Sequence, residues 1–312
     1  MFENTHWLQV KIDEYLQGTP ELPQHIIFQA SQNFNEKLTR FNSKPRGKSA
    51  LPSLSQIGKP FCQLHANKLD WSQTPKDSNF KIKMTYGDMT EVIAVAILQA
   101  AGVNIFALNQ RTRLPTDEGD LYGEFDLIIQ DDDGNLTMWD IKSASRYAFE
   151  NKFKSYEAMK EDDSFGYVSQ LFGYTRAERM KHHDIEAGGW IAISKETGEM
   201  KVCPVNPEDE DIYYDNIVST IKKYKDASAD NFERSFSDVE ETWYKKPTGN
   251  RKLASACTFC DYRYSCWPNL EYRKKAKSKS AHAYEYYTFF EEEKEDLSVV
   301  RESKGAAATA VG

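Results

Sequence analysis

The sequence predicts a mixed α/β fold in which a central sheet is flanked by helices. Two observations predict this fold. A long apolar pattern of helical period lies in the first third of the chain, and two hairpin patterns follow later in the sequence, each of them succeeded by a further helical pattern. The chain has 312 residues, of which 40% are hydrophobic. It is therefore long enough to bury a substantial core.

The first and clearest helix pattern covers residues 87–102. Thr85 with Asp88 resembles a capping box at its start, and Gly102 suits its end. The apolar residues recur at the spacing of one helix face. The predicted buried stripe consists of Met89, Val92, Ile93, Ala96, Ile97 and Ala100.

Strand and hairpin patterns follow this helix. Residues 105–114 form a strand pattern, and residues 121–142 form a hairpin pattern around an Asp-Gly-Asn turn. Further helices are predicted at about 164–182 and 208–226, on either side of a second hairpin at residues 190–205. This order predicts a mixed sheet covered by helices.

The chain divides into three predicted parts. Residues 1–50 are predicted to form an N-terminal helical extension and a linker, and residues 51–270 the main domain. Residues 271–312 are predicted to be a basic and then acidic tail whose end is disordered.

Charge and hydropathy limit the functional classes. The net charge is −8, which argues against a non-specific nucleic-acid coat protein but not against a DNA enzyme with a local basic track. There is no run of 18 apolar residues and no secretory signal pattern, so we expect no membrane partner and a cytoplasmic protein. The two basic tracks are Lys245, Lys246, Arg251 and Lys252, and then Arg273, Lys274, Lys275, Lys277 and Lys279.

Three carboxylates and a lysine can meet on this scaffold. Asp126 lies in the first strand of the hairpin, Asp140 lies in the second, and Glu91 lies on the preceding helix. Such hard oxygen ligands suit Mg²⁺ or Mn²⁺. Lys142 lies two residues after Asp140, so it shares a face of the strand with it and can orient a water molecule or stabilise a phosphate. The alternative is a buried salt bridge with no chemistry.

These residues resemble the motifs of the PD-(D/E)XK nuclease superfamily in its RecB-like branch. The resemblance is carried by Glu91 in GDMTE, Asp126 in GEFD, and Asp140 with Lys142 in WDIK. It implies a restriction-endonuclease-like fold and a metal site that also uses the carbonyl of Ile141. Phe125 stands where the superfamily's name has proline, and Glu124 is a further acid that can replace or supplement Asp126.

A second part of the resemblance lies on the helix after the hairpin. Gln170 and Tyr174, in QLFGY, are four residues apart and so share a helix face. They are similar to the family's Q-x-x-x-Y motif, which implies contact with the DNA strand or support of the catalytic residues. The alternative is an ordinary helix pair.

The cysteines form a separate pattern. Cys257, Cys260 and Cys266 cluster late in the chain, and clustered cysteines in a cytosolic protein favour metal over disulfides. With the early Cys62 they resemble the iron–sulfur staple of AddB-type subunits and CRISPR-associated RecB-like exonucleases, which implies a 4Fe–4S cluster. The alternative is structural Zn²⁺, with His65 as the less favoured fourth ligand.

The resemblance implies a Mg²⁺-dependent DNA nuclease, most simply an exonuclease on DNA ends or single strands. It further suggests a role in recombination or repair, a phage setting, and recombination or replication proteins as partners. No Walker A pattern is present in the sequence, so we expect no fused helicase motor. The alternatives are a catalytically silent DNA-binding or assembly subunit and a structure-specific endonuclease.

Overall fold

A computed structural model describes residues 6–18, 20–42, 49–76, 79–275 and 284–291. The chain forms two compact units. The first consists of Met1–Trp71 with Pro75–Ser235, and the second of Ser72–Thr74 with Phe236–Gly312.

The first unit contains a five-stranded sheet with helices on both faces. Its strands are β1 (Asn104–Leu114), β2 (Leu121–Gln130), β3 (Leu136–Ala144), β4 (Glu186–Ser194) and β5 (Met200–Pro204). Its helices are α1 (Trp7–Gln17), α2 (Gln24–Arg40), α3 (Phe61–Lys68), α4 (Phe80–Ala100), α5 (Arg146–Asn151), α6 (Tyr156–Glu161), α7 (Tyr167–Arg179) and α8 (Glu210–Asp226).

The sheet is mixed, with strands in the order β1-β2-β3-β4-β5. Only β3 and β4 run parallel, and the chain between them contains α5, α6 and α7. The other neighbouring pairs are antiparallel. One buried cluster packs α7 and α8 against the sheet, and a second packs α1 and α4 against it. The predicted mixed sheet with flanking helices is therefore confirmed.

The N-terminal helix α1 is part of this unit rather than an extension of it. Leu8 and Ile12, one helical turn apart, are fully buried in the cluster on the α4 side of the sheet. The Gln9 amide also accepts a hydrogen bond from the Val202 N–H (2.7 Å) and donates one to the Met200 carbonyl (3.3 Å). Gln9 thus satisfies backbone groups of β5, which is an edge strand among the described strands of this sheet.

Helix α4 begins earlier than the pattern predicts. Its N-cap is Asn79, and the Thr85 hydroxyl donates to the Lys81 carbonyl within the helix, so Thr85 and Asp88 form no capping box. Ile93, which was predicted to be buried, is 54% exposed. The C-terminal half of α4 is apolar on nearly every side, so its hydrophobic period does not select one face.

The second unit contains a smaller antiparallel sheet of order β6-β7-β9-β8. Its strands are β6 (Val239–Trp243), β7 (Lys246–Lys252), β8 (Glu271–Lys274) and β9 (Tyr284–Phe289), with the short helices α9 (Ser255–Thr258) and α10 (Arg263–Cys266). Two of these strands fall in the segment predicted to be a tail. The tail prediction fails there because Tyr287 is buried and donates a 2.6 Å hydrogen bond to Glu241. Lys277, Lys279 and the predicted disordered end lie outside the described residues.

No helix among the described residues is long and apolar enough to cross a membrane.

Candidate active site

The pairing of β2 with β3 stops beside the two predicted aspartates. The ladder runs from the Gln130–Leu136 pair to the Leu127–Trp139 pair, one residue short of Asp126 and Asp140. Beyond it, the Asp126 carboxylate accepts a 2.7 Å hydrogen bond from the Ile141 N–H. The ladder between β2 and β3 therefore ends next to two acidic residues, and Asp140 is only 2% exposed.

Lys142 lies beside Asp140, as alternation along β3 requires. Its ammonium group forms an ion pair with Asp140 Oδ2 and lies 4.8 Å from the ring centroid of Tyr167, the first residue of α7. Burial opposes the charge on Lys142, but attraction to Asp140 and Asp126 outweighs burial and holds its pKa above the ordinary value. Lys142 is therefore a fixed cation at this site.

Glu91 contributes from α4 and is paired with a lysine that the sequence analysis did not single out. Lys37, on α2, donates a 2.6 Å hydrogen bond to Glu91 Oε1 and lies 3.4 Å from Asn109 Oδ1. The side chains of Lys37 and Glu91 are only 6% and 13% exposed. One turn along α2, Arg40 pairs with Glu124 at 2.7 Å.

Burial and electrostatic repulsion shift the pKa values of the three acids. Burial raises the pKa of Asp126 to about 7, and repulsion from Asp140 adds to this effect. Burial also raises the pKa of Glu91, with repulsion from Asp126 adding to it. For Asp140, burial and repulsion from Glu91 raise the pKa against the attraction of Lys142. Burial is the largest cause of the raised pKa in all three acids, and repulsion among the carboxylates adds to it.

Gln170 and Tyr174 complete the site from α7. Gln170 Nε2 lies 3.5 Å from Asp140 Oδ1 and 3.3 Å from the Tyr174 hydroxyl. The ring of Tyr174 lies against Gly123, where an added Cβ would come within 2.4 Å of it. Gly123, three residues before Asp126, is therefore needed for the close approach of β2 and α7.

The donor set suits a hard divalent cation. Carboxylate oxygens from Glu91, Asp126 and Asp140, with the backbone carbonyl of Ile141, are the ligands that Mg²⁺ and Mn²⁺ prefer. Across the described residues, no three His, Cys, Asp or Glu side chains are already gathered into a metal-holding group. In the described structure, Glu91 and Asp140 each pair with a lysine through one carboxylate oxygen.

The predicted cysteine ligands fall in both units. Cys62 lies on α3 in the first unit, whereas Cys257, Cys260 and Cys266 lie on and around α9 and α10 in the second. None of these is in a disulfide. Cys260 is buried, and its sulfur accepts a 3.4 Å hydrogen bond from a backbone N–H.

His65, the less favoured fourth ligand, and Cys203, a cysteine outside the pattern, both lie in the first unit. The buried His65 donates from Nε2 to the Ser228 carbonyl at 2.8 Å and packs on Phe232. Cys203 is buried in the core cluster, as expected of a small apolar residue, and burial raises its pKa to about 12.

Lys37 and Arg40 are the site residues that the sequence analysis missed. Both lie in the segment predicted to be an extension and linker. Their spacing of three on a helix was the available signal, because it places two cations on one face. The acidic partners of that face were on α4 and β2, far away in sequence.

Comparison with known families decides the identity of the fold. The sequence model of the PD-(D/E)XK nuclease superfamily matches residues 76–267. The chain belongs to this superfamily. The match includes Glu91, Asp126, Asp140 and Lys142, and it leaves out α1, α2 and Cys62. PD-(D/E)XK proteins are generally nucleases and typically use Mg²⁺ or Mn²⁺, which agrees with the donor set.

The other comparisons add less. The solved structure of SSO0001 is similar at 10% identity with a TM-score of 0.34, over 63% of this chain and 86% of that one. A similarity of this strength carries no argument about function. No curated protein matches the chain.

Proposed function

We propose that this PD-(D/E)XK protein is a Mg²⁺- or Mn²⁺-dependent DNA nuclease of the RecB-like branch. One observation carries the proposal: Asp126 and Asp140 lie where the pairing of β2 with β3 ends, as a buried, charge-coupled pair with Lys142 beside them. A structural ion pair needs one acid for one lysine. Here Asp126 adds a second acid, and Glu91 lies close enough for its charge to act on both.

The residues have separate roles in this proposal. Glu91, Asp126, Asp140 and the Ile141 carbonyl hold the metal ion, which supplies charge neutralisation at the scissile phosphate and a more acidic water. Lys142 donates a hydrogen bond to the attacking water or to a phosphate oxygen. Gln170 holds Asp140 in place and, with Tyr174, guides the DNA strand. Lys37 balances Glu91 before metal binds.

We further propose that the clustered cysteines of the second unit, Cys257, Cys260 and Cys266, supply thiolate ligands to a 4Fe–4S cluster. The sequence pattern supports this proposal, as does the backbone N–H that points at the Cys260 sulfur, a contact that favours a thiolate. Structural Zn²⁺ is the competing occupant.

The mode of cutting is proposed to be exonucleolytic, on DNA ends or single strands, in recombination or repair. An assay with Mn²⁺ and with linear and circular single-stranded DNA of equal length distinguishes exonuclease from endonuclease cleavage. We expect loss of the linear DNA only, and none with Asp140→Asn. Cleavage of the circle as well would replace the exonuclease by an endonuclease. Binding without cleavage of either would favour a catalytically silent DNA-binding subunit.

A further inference from the structure

The solvent side of β8 and β9 in the second unit carries an unusual set of side chains. Tyr272 pairs across the strands with Tyr286, and Lys274 pairs with Tyr284, so these four side chains lie on one face. Tyr272 and Tyr284 are 56% and 44% exposed. The exposed face of an antiparallel sheet normally carries small polar or charged residues. This one carries three tyrosines.

The rings form a continuous surface. Tyr272 stacks on Tyr284 with a centroid distance of 5.3 Å, and it lies 4.6 Å from Tyr286. Tyr264, from α10, meets Tyr286 edge-on at 6.2 Å. The four rings are called the tyrosine face below.

Cationic side chains lie beside these rings, whereas the two glutamates of β8 and β9 lie on the other face of the sheet. The Arg263 guanidinium lies 4.7 Å from the Tyr286 ring centroid and 5.5 Å from that of Tyr264. By contrast, Glu271 and Glu285 are paired in register with Tyr287 and Arg273, on the opposite face.

On that opposite face the acids are already neutralised. Lys252 and Lys275 form ion pairs with Glu285, and Arg273 forms one with Glu271. Strand alternation has therefore separated the charges, so that cations alone accompany the tyrosine face within β8 and β9.

We propose that the tyrosine face is a second DNA site, which binds unpaired bases of single-stranded DNA by stacking while Lys274 and Arg263 attract the phosphates. Aromatic rings beside cations are how proteins bind single strands without reading sequence. Duplex DNA is excluded because the faces of its bases are covered by their neighbours. The choice of DNA over RNA rests on the proposed function.

The test measures binding of labelled oligothymidine by fluorescence anisotropy in EDTA, so that no cleavage occurs. Each of Tyr272→Ala and Tyr284→Ala should raise Kd about tenfold, since one stacked base contributes that much. Tyr272→Phe keeps the ring and should retain binding. The matched control is Tyr244→Ala, since Tyr244 is 86% exposed in the same unit but is not one of the four rings. Lys274→Gln should flatten the dependence of log Kd on log salt by about 0.7.

Several results would overturn the proposal. They are an unchanged Kd in both alanine variants, equal loss in Tyr244→Ala, tighter binding of oligouridine, or competition by duplex DNA as strong as by single strands. A change in oligomeric state with unchanged Kd would make the face a protein contact instead. The two proposals can fail separately, because a protein that binds single-stranded DNA through these tyrosines but never cleaves it refutes only the nuclease proposal.

Discussion

Lys37 of α2 and Glu91 of α4 form a nearly buried ion pair of 2.6 Å, and this pair joins the N-terminal helices to the carboxylate centre. Glu91 is the acid that the family motif assigns to the metal. In the described structure its charge is balanced by a lysine that lies outside the matched segment. The N-terminal region is therefore part of the site rather than an appendage.

Removal of this cation should destabilise the metal-free protein. Lys37→Met leaves Glu91 buried without its partner and should lower the free energy of unfolding by about 2 to 4 kcal/mol at pH 8. The loss should shrink as the pH falls, because the raised pKa of Glu91 lets it become neutral. Urea denaturation at several pH values measures this.

The control is Lys11→Met, which breaks the exposed ion pair with Asp132 and should cost about 0.5 kcal/mol or less. Glu91→Gln added to Lys37→Met should recover the lost stability. The same loss at every pH, without recovery in the double variant, would contradict the role given to this pair.

The buried acids should make metal stabilisation depend on pH. The pKa of Asp126 is raised from 3.8 to about 7 in the folded protein, so the folded state binds its proton more tightly than the unfolded state. The stability that this contributes is present below about pH 4 and is lost as the pH rises through 7. Mn²⁺ should therefore raise Tm more at pH 8 than at pH 5.5.

Asp126→Asn isolates this effect. The variant should be more stable than the wild type at pH 8 without metal, and Mn²⁺ should shift its Tm little. Thermal unfolding with and without Mn²⁺ at both pH values measures this. A Tm shift in the variant as large as in the wild type would remove Asp126 from the metal site.

Gly123 should not tolerate a side chain. In Gly123→Ala the new Cβ meets the Tyr174 ring at 2.4 Å and Leu54 Cβ at 3.0 Å, so we expect a loss of about 1 to 3 kcal/mol and displacement of Tyr174. Gly87, which lies within α4, is the matched control, because its added Cβ would lie 3.5 Å from Ser143 Oγ, an ordinary contact. Gly87→Ala should raise stability by up to about 1 kcal/mol. Chemical denaturation of both variants measures these changes in the free energy of unfolding. Equal changes in the two variants would contradict the packing argument.

The cysteine proposal predicts a brown protein. After purification without oxygen, we expect roughly four irons and four sulfides per chain, with broad visible absorption. Cys260→Ser should abolish both, whereas Cys203→Ala should leave them intact because Cys203 lies in the apolar core. A colourless protein with one zinc per chain would replace the iron–sulfur cluster by structural Zn²⁺.

The sheet of the first unit and the carboxylates of the candidate site could be predicted from the sequence, because both depend on local sequence patterns. Alternation along β3 places Asp140 and Lys142 together, and the turn before it fixes the hairpin. The charge partners are not local, since Lys37 acts on Glu91 from 54 residues away. The second sheet was missed for a similar reason. Strand β9 lies between β7 and β8 in that sheet, but its sequence lies in a segment whose acidic composition is typical of a tail. The burial of Tyr287 shows that this segment is folded.

The most direct test of the account is the hydrolysis of labelled linear single-stranded DNA by the wild type, Asp140→Asn and Lys142→Ala, with Mg²⁺, Mn²⁺ or EDTA. The account predicts cleavage by the wild type with either metal and none in EDTA. It predicts no measurable cleavage by Asp140→Asn, and a rate reduced by about 10² to 10³ for Lys142→Ala. Wild-type protein that cleaves nothing with either metal, or Asp140→Asn that cleaves at the wild-type rate, would contradict it.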